Sequence, residues 1–319
     1  MKFNRKAPGE GIEAVCRLDN GKALIEWHFA FLREEQEEAH YILSFTMRDK
    51  EGQTVLLCMQ ETEEEELLVS IVLHPHLWSC ESPYLYSLEA VIQDPEGKET
   101  DRLIKQLPLR ELSFHPRRGW LLNGAEFVLK AVEYTIPRHA SQTEKQQLIL
   151  KDLRLLKDMG ANCIHTESSL WKLCEKLGFL IWQKEMAAAG EELPCLTGDG
   201  TDRYSLEQIC SLFYQYKAKW SDEPFVYIVP ESISVLSSGN FKVTVYSNCS
   251  RVVLYSDGEL FEFQSGNEEF VFQEVPSKGP CVALSAEGDD CSMSLSFHKT
   301  FTRPLRESGD PFHMTDDKA

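Results

Sequence analysis

Twice along this chain the spacing of apolar residues changes, and those two changes restrict the fold more than anything else in the sequence. From Ile12 to about Leu112 short runs of β-branched and aromatic residues follow one another: KALIEWHFAFL, HYILSFTM, TVLLCMQE, ELLVSIVL and YLYSLEAVIQD. Asp19-Asn20-Gly21, Asp49-Lys50-Glu51-Gly52 and Asp94-Pro95-Glu96-Gly97 punctuate them as turns. About seven strands in about 100 residues predict an immunoglobulin-like β-sandwich. Strands return after Asp222, in FVYIV, FKVTVYS, RVVLYSDGELF, EEFVFQEV, CVALSAEG and SMSLSFHKTF. They predict a second, smaller sandwich of the same class.

Between the two lies a stretch with a different rhythm. LLNGAEFVLKAVEY reads as a hairpin turning at Asn123-Gly124, with its second strand running on into the next unit. The segment SQTEKQQLILKDLRLLKDMG then reads as a helix. Ser141 and Glu144 have capping-box spacing, Ile149, Leu153 and Leu156 share a face, and Gly160 supplies the stop. ANCIHT is a buried strand, SLWKLCEKLG a helix ended by Gly178, and FLIWQ a third strand. Ser205 to Trp220 is another helix, with Ser205 and Gln208 at capping-box spacing. Strand and helix alternate as in parallel α/β winding. The expected division is therefore a flexible leader (1–11), a sandwich (12–112), a shortened (β/α) barrel-like segment (113–220), a second sandwich (221–302) and a disordered tail (303–319). The fold class is multidomain β plus α/β.

Composition excludes several functions. Hydrophobic residues make up 42% of the chain, enough for packed cores. The net charge of -18 opposes binding to nucleic acid or anionic membranes, because phosphates must be neutralised by Lys and Arg. The acidic run Glu63–Glu66 reads as a solvated turn or strand edge. No stretch approaches the roughly 18 apolar residues of a membrane span, and no apolar run follows the basic start, so a cytoplasmic location is expected. Ten cysteines form no CxxC pair and several lie in apolar runs, so they read as reduced and mostly buried. The His74-Pro75-His76 pair lacks a nearby Cys or acid cluster, and no metal site is expected. There is no glycine-rich phosphate loop or GxSxG elbow, and no cofactor is expected.

Several segments, in order, resemble glycoside hydrolase family 2 in its β-galactosidase-like branch. HPHLWSCESPYLYSLEAVI is similar to the family's "P-x-LWSPENPYLYxLxV" through Leu77, Trp78, Ser79, Glu81, Pro83, Tyr84, Leu85 and Tyr86. LPLRELSFHPRRGWLLNGAEFVLKAV resembles the lead-in to the family's barrel, with Arg110, Gly119, Leu122, Asn123, Gly124, Leu129 and Val132 in register. LKDMGANCIHT resembles "MKxMGANxIRT", and LCEKLGFLIWQKE resembles "LCDELGxLVWQEF". YQYKAKWSDEPFVYI and VTVYSNCSRVVLYSDGELF are similar to the junction after the barrel and to the sandwich that follows it.

The resemblance implies a retaining glycosidase, whose two carboxylates stand about 5–5.5 Å apart. In the family these are glutamates on barrel strands four and seven, the acid/base one in a pattern like "W-S-x-x-N-E". That pattern is not found here. Ser113 to Trp220 is about 108 residues, whereas an eight-unit barrel takes roughly 250. The family's arginine in "IRT" is His165, and its "NRH" region reads Glu133-Tyr134-Thr135. Glu133, Glu167 and Glu185 fall at or near the C-terminal ends of the three parallel strands, the edge where such sheets bind ligands. They are the weak catalytic candidates, with His165 beside them; an acidic chain also places glutamates in loops by composition alone. Trp78, Trp120, Trp171, Trp182 and Trp220 are candidates for stacking on sugar, with core packing the more frequent role.

Three functions follow as expectations. The leading one is a catalytically silent family member with a sugar-binding, regulatory or assembly role. The second is an active glycosidase with a rebuilt site or a barrel completed by a partner protein or a second copy. The third is a structural protein that binds no sugar.

Overall fold

The structure is a computed structural model describing residues 1–32, 40–62, 67–136, 142–182 and 206–299. Glu63–Glu66, Ser141, Glu185, Cys195, Ser205 and the tail 303–319 lie outside these residues, as does the side chain of Gln208.

The first sandwich is built from β1 (Lys2–Phe3), β2 (Ile12–Asp19), β3 (Lys22–Phe29), β4 (Phe31–Leu32), β5 (Tyr41–Arg48), β6 (Thr54–Thr62), β7 (Leu67–Leu73), β8 (Leu85–Gln93) and β9 (Glu99–Pro108). The seven longer strands form two antiparallel sheets, ordered β2-β3-β7 and β6-β5-β8-β9. Alternation drives the packing. Ala23, Ile25, Trp27 and Phe29 of β3 turn inward, as do Tyr41, Leu43, Phe45 and Met47 of β5. The Trp27 and Phe45 rings meet at 5.0 Å, and the buried indole donates to Ser70 Oγ at 2.7 Å. The polar tip of the tryptophan is thus satisfied inside an apolar layer.

The leader expected to be flexible is instead fastened. β1 pairs with β4, and Met1 and Phe3 are buried in the sandwich core. Asp101 holds the segment, accepting from Phe3 N at 2.9 Å and from Arg5 Nη1 and Nη2 at 2.8 Å each. A two-residue strand carries no periodicity, so the sequence pattern had nothing to register.

The middle of the chain contains β10 (Leu112–His115), β11 (Gly119–Leu122), β12 (Ala125–Glu126), β13 (Ala131–Glu133), α1 (Gln142–Asp158), β14 (Cys163–His165), α2 (Trp171–Lys176), β15 (Leu180–Ile181) and α3 (Leu206–Trp220). β10, β11 and β12 form an antiparallel meander. Asn123 and Gly124 both have positive φ, 53° and 81°, as a tight hairpin turn demands. The Asn123 side chain accepts from Glu111 N and donates to Trp78 O, each at 3.0 Å. The second hairpin strand does not run on: β12 ends at Glu126, and β13 belongs to a different sheet.

The chain divides into two compact units that interlace along the sequence, Met1–Leu129 with Ser169–Leu180, and Lys130–Ser168 with Ile181–Ala319. Within the first unit α2 docks on sandwich residues. Buried Trp78 donates its indole N–H to Glu175 O at 2.9 Å. Arg110 lies over the Trp78 ring at 4.3 Å and donates to Glu175 Oε1 at 2.7 Å.

In the second unit β13 and β14 are parallel, Val132 opposite Ile164 and Glu133 opposite His165. β15 continues the sheet on the far side of β14, with Trp182 N donating to Ile164 O at 2.8 Å. Ile149, Leu153 and Leu156 of α1 are buried as the spacing predicts. The last sandwich comprises β16 (Val226–Ile228), β17 (Ser234–Val235), β18 (Phe241–Ser247), β19 (Arg251–Ser256), β20 (Glu259–Ser265), β21 (Glu268–Val275), β22 (Cys281–Glu287) and β23 (Ser292–His298). β18 is flanked by β16 and β17 and by β21; the facing sheet runs β20-β19-β22-β23. Phe241, Val243, Val245, Phe270 and Phe272 share their core with Val252, Leu254, Leu284 and Leu295.

Candidate functional site

The candidate site is the C-terminal edge of the β13–β14 pair. A strand buried on both faces needs apolar side chains on each, and Ala131, Val132, Cys163 and Ile164 are all buried. Polarity begins where the strands end. Glu133, half-buried, closes β13, and exposed His165 closes β14 directly opposite it. Neighbouring strands are about 4.8 Å apart, so the two side chains leave the sheet side by side on one face. Glu167 is exposed two positions beyond β14. The register thus sets Glu133 opposite His165, while Glu185 lies outside the described residues.

The residue after β13 carries a further feature. Tyr134 is buried, its N–H donates to His165 O at 2.9 Å, and its hydroxyl donates to Asp152 Oδ2 of α1 at 2.9 Å. Burial raises the Asp152 pKa, and the tyrosine hydrogen bond opposes that rise. The signal was legible: Asp152 stands three residues after Ile149 and one before Leu153, on the apolar stripe of α1. An acid on such a stripe needs a partner.

The opposite edge of the sheet is tied down. Lys130 N donates to Asn162 Oδ1 at 2.8 Å, and Lys130 Nζ donates to Trp220 O at 2.6 Å, at the C-terminal end of α3 where a cation is favoured. One edge is thus built for anchorage while the other displays charge, the usual division in parallel α/β sheets.

Other candidates sort differently. His76 stacks on Tyr84 at 4.8 Å and His74 N donates to Gly21 O; among the described residues no cluster of His, Cys, Asp and Glu could hold a metal ion. Trp78 is core, whereas Trp171 is 45% exposed, and Trp120 is half-buried against exposed Phe114. Nine of the ten cysteines lie among the described residues. Five are buried, Cys16, Cys58 and Cys291 are half-buried, and Cys281 is exposed. No helix among the described residues is long and apolar enough to cross a membrane.

A sandwich, a parallel β/α segment and a second sandwich thus follow one another along the chain. Residues 12–108 match the model of the family described as glycosyl hydrolases family 2. Relatives include a β-galactosidase of Bacteroides ovatus, 25% identical over 54% of this chain and 22% of its own length. Another is a β-galactosidase of Lactococcus lactis, 30% identical over 34% of this chain and 12% of its own length. The chain is thus similar to glycoside hydrolase family 2 over its first sandwich, and spans about a fifth or less of the length of the curated relatives it matches. Solved structures agree on the fold. An FMN-binding β-glucuronidase from Faecalibacterium prausnitzii aligns over 96% of this chain and 77% of its own, with TM-score 0.71 at 14% identity. A β-glycosidase from Bacteroides vulgatus aligns over 92% and 64%, with TM-score 0.69 at 14% identity.

Proposed function

We propose that this family 2-like chain has no retaining-glycosidase site of its own and serves carbohydrate metabolism as a sugar-binding, regulatory or assembly protein. One observation carries the reading. Only residues 182–205 separate Ile181, the end of β15, from Leu206, the start of α3. Five further β/α units would need on the order of 150 residues by the norm of eight-unit barrels. That spacing supports an incomplete barrel that lacks the strands on which the family carries its glutamate pair.

The test is a panel of nitrophenyl β-galactosides, β-glucuronides and β-mannosides with the purified chain. Hydrolysis no faster than buffer is expected, and Glu133→Gln and Glu167→Gln should change nothing. Turnover abolished by either substitution would overturn the proposal in favour of a rebuilt site. Turnover that appears only with a co-purifying protein would point to a barrel completed by that partner. Calorimetry with the free sugars separates the remaining roles: heat of binding supports sugar recognition, and none supports a structural part.

A further inference from the structure

The last sandwich brings two thiols together from turns far apart in sequence. Cys249 lies in the turn between β18 and β19, and Cys291 in the turn between β22 and β23. β19 and β22 are paired, Val253 opposite Glu287, so the two turns emerge at the same end of that sheet. The sulfurs are 3.7 Å apart. The approach is built in. Cys249 N donates to Ser247 Oγ at 3.0 Å, and its sulfur lies 3.8 Å from Phe225 O. Gly288 N donates to Cys291 O at 2.9 Å, closing the second turn. A Cβ at Gly288 would meet Cys249 Sγ at 2.5 Å and Val226 Cγ2 at 2.9 Å, so only glycine admits the Cys249 sulfur there.

We propose that Cys249 and Cys291 are a disulfide-forming pair, closed by exchange with a small disulfide of the oxidised-glutathione class. A disulfide needs the sulfurs about 2.05 Å apart, a shift that side-chain rotation and slight turn movement supply. Cys291 is half-buried and Cys249 fully buried, which sets the order. The Cys291 thiolate attacks one sulfur of the small disulfide, forming a mixed disulfide and expelling one thiolate. Cys249 then attacks the Cys291 sulfur, forming the intrachain bond and expelling the second. The protons of the two cysteines end on the two departing thiols; the pair is oxidised and the small disulfide reduced. Burial, and then the neighbouring Cys249 thiol, raise the Cys291 pKa, so the first step should be slow at pH 7 and faster in alkaline solution.

The full chain would be incubated with oxidised glutathione at alkaline pH, quenched with an alkylating agent, digested without reduction and read by mass spectrometry. A peptide pair joined through Cys249 and Cys291 is expected, with a higher denaturation midpoint for the oxidised protein. Cys249→Ala should trap glutathione on Cys291, and Cys291→Ala should leave Cys249 unmodified. Glutathione persisting on Cys291 in the unsubstituted chain, an unreacted Cys291, or a bond joining two chains would each overturn the proposal. If Cys249→Ala fails to fold by circular dichroism, the unsubstituted chain alone still decides the matter.

Discussion

At the scale of single residues, geometry leaves some positions no freedom. Gly160 follows α1 with φ +94°, and a Cβ there would stand 2.5 Å from Trp220 O and 2.6 Å from its carbonyl carbon. Backbone cannot step aside as a side chain can, so Gly160→Ala should cost about 2–4 kcal/mol, read as a lower urea midpoint. Asp152 makes the opposite prediction. Its raised pKa means that the folded chain holds this proton to higher pH than the unfolded chain does. Its contribution to stability therefore falls as pH rises from the ordinary aspartate value, about 3.9, through the raised one. Asp152→Asn keeps an acceptor for the Tyr134 hydroxyl and removes the buried charge. It should raise the urea midpoint at pH 7 and change it less at pH 4.

Among elements, legibility followed length. The strands of both sandwiches and the long helix α1 announced themselves because alternation and a shared helical face need several turns or pleats to register. The two-residue strand β1 did not. β1 is held by Phe3 packing and by Asp101, and neither is a local pattern. Arg5, first through its hydrogen bond, lowers the Asp101 pKa, and the amides of Phe3 and Arg102 add to that. A lowered carboxylate pKa contributes stability above the unfolded value and loses it as pH falls through the folded one. Asp101→Asn should therefore cost about 1 kcal/mol at neutral pH. The difference from the unsubstituted chain should shrink as pH falls through the lowered pKa of the native carboxylate, and vanish once that carboxylate is protonated too. Amide exchange at Phe3, followed across that range, checks it. Of the site, Glu133 and His165 were legible as strand ends, but their register opposition was not, because strand pairing is non-local. Tyr134 with Asp152 was visible only as an acid on an apolar stripe.

Across the whole molecule, the chain passes between its two units at Leu129, Ser168 and Leu180, so neither is a continuous stretch. A fragment ending at Leu129 would lack Glu175, which accepts from the Trp78 indole and pairs with Arg110. It should unfold at lower denaturant than the sandwich in the full chain, with the buried Trp78 as the fluorescent reporter. The sequence by itself determined the layered character of the chain, strands then alternating strand and helix then strands, and its likeness to family 2. Those follow from period, turn chemistry and motif order, all written locally. Only the tertiary structure decided that α2 packs with the first sandwich, that Lys2 and Phe3 pair with β4, that Glu133 stands opposite a histidine and that two distant thiols meet. Each of those depends on which surfaces bury each other, and burial is a property of the folded chain as a whole, summed over contacts that no window of sequence contains.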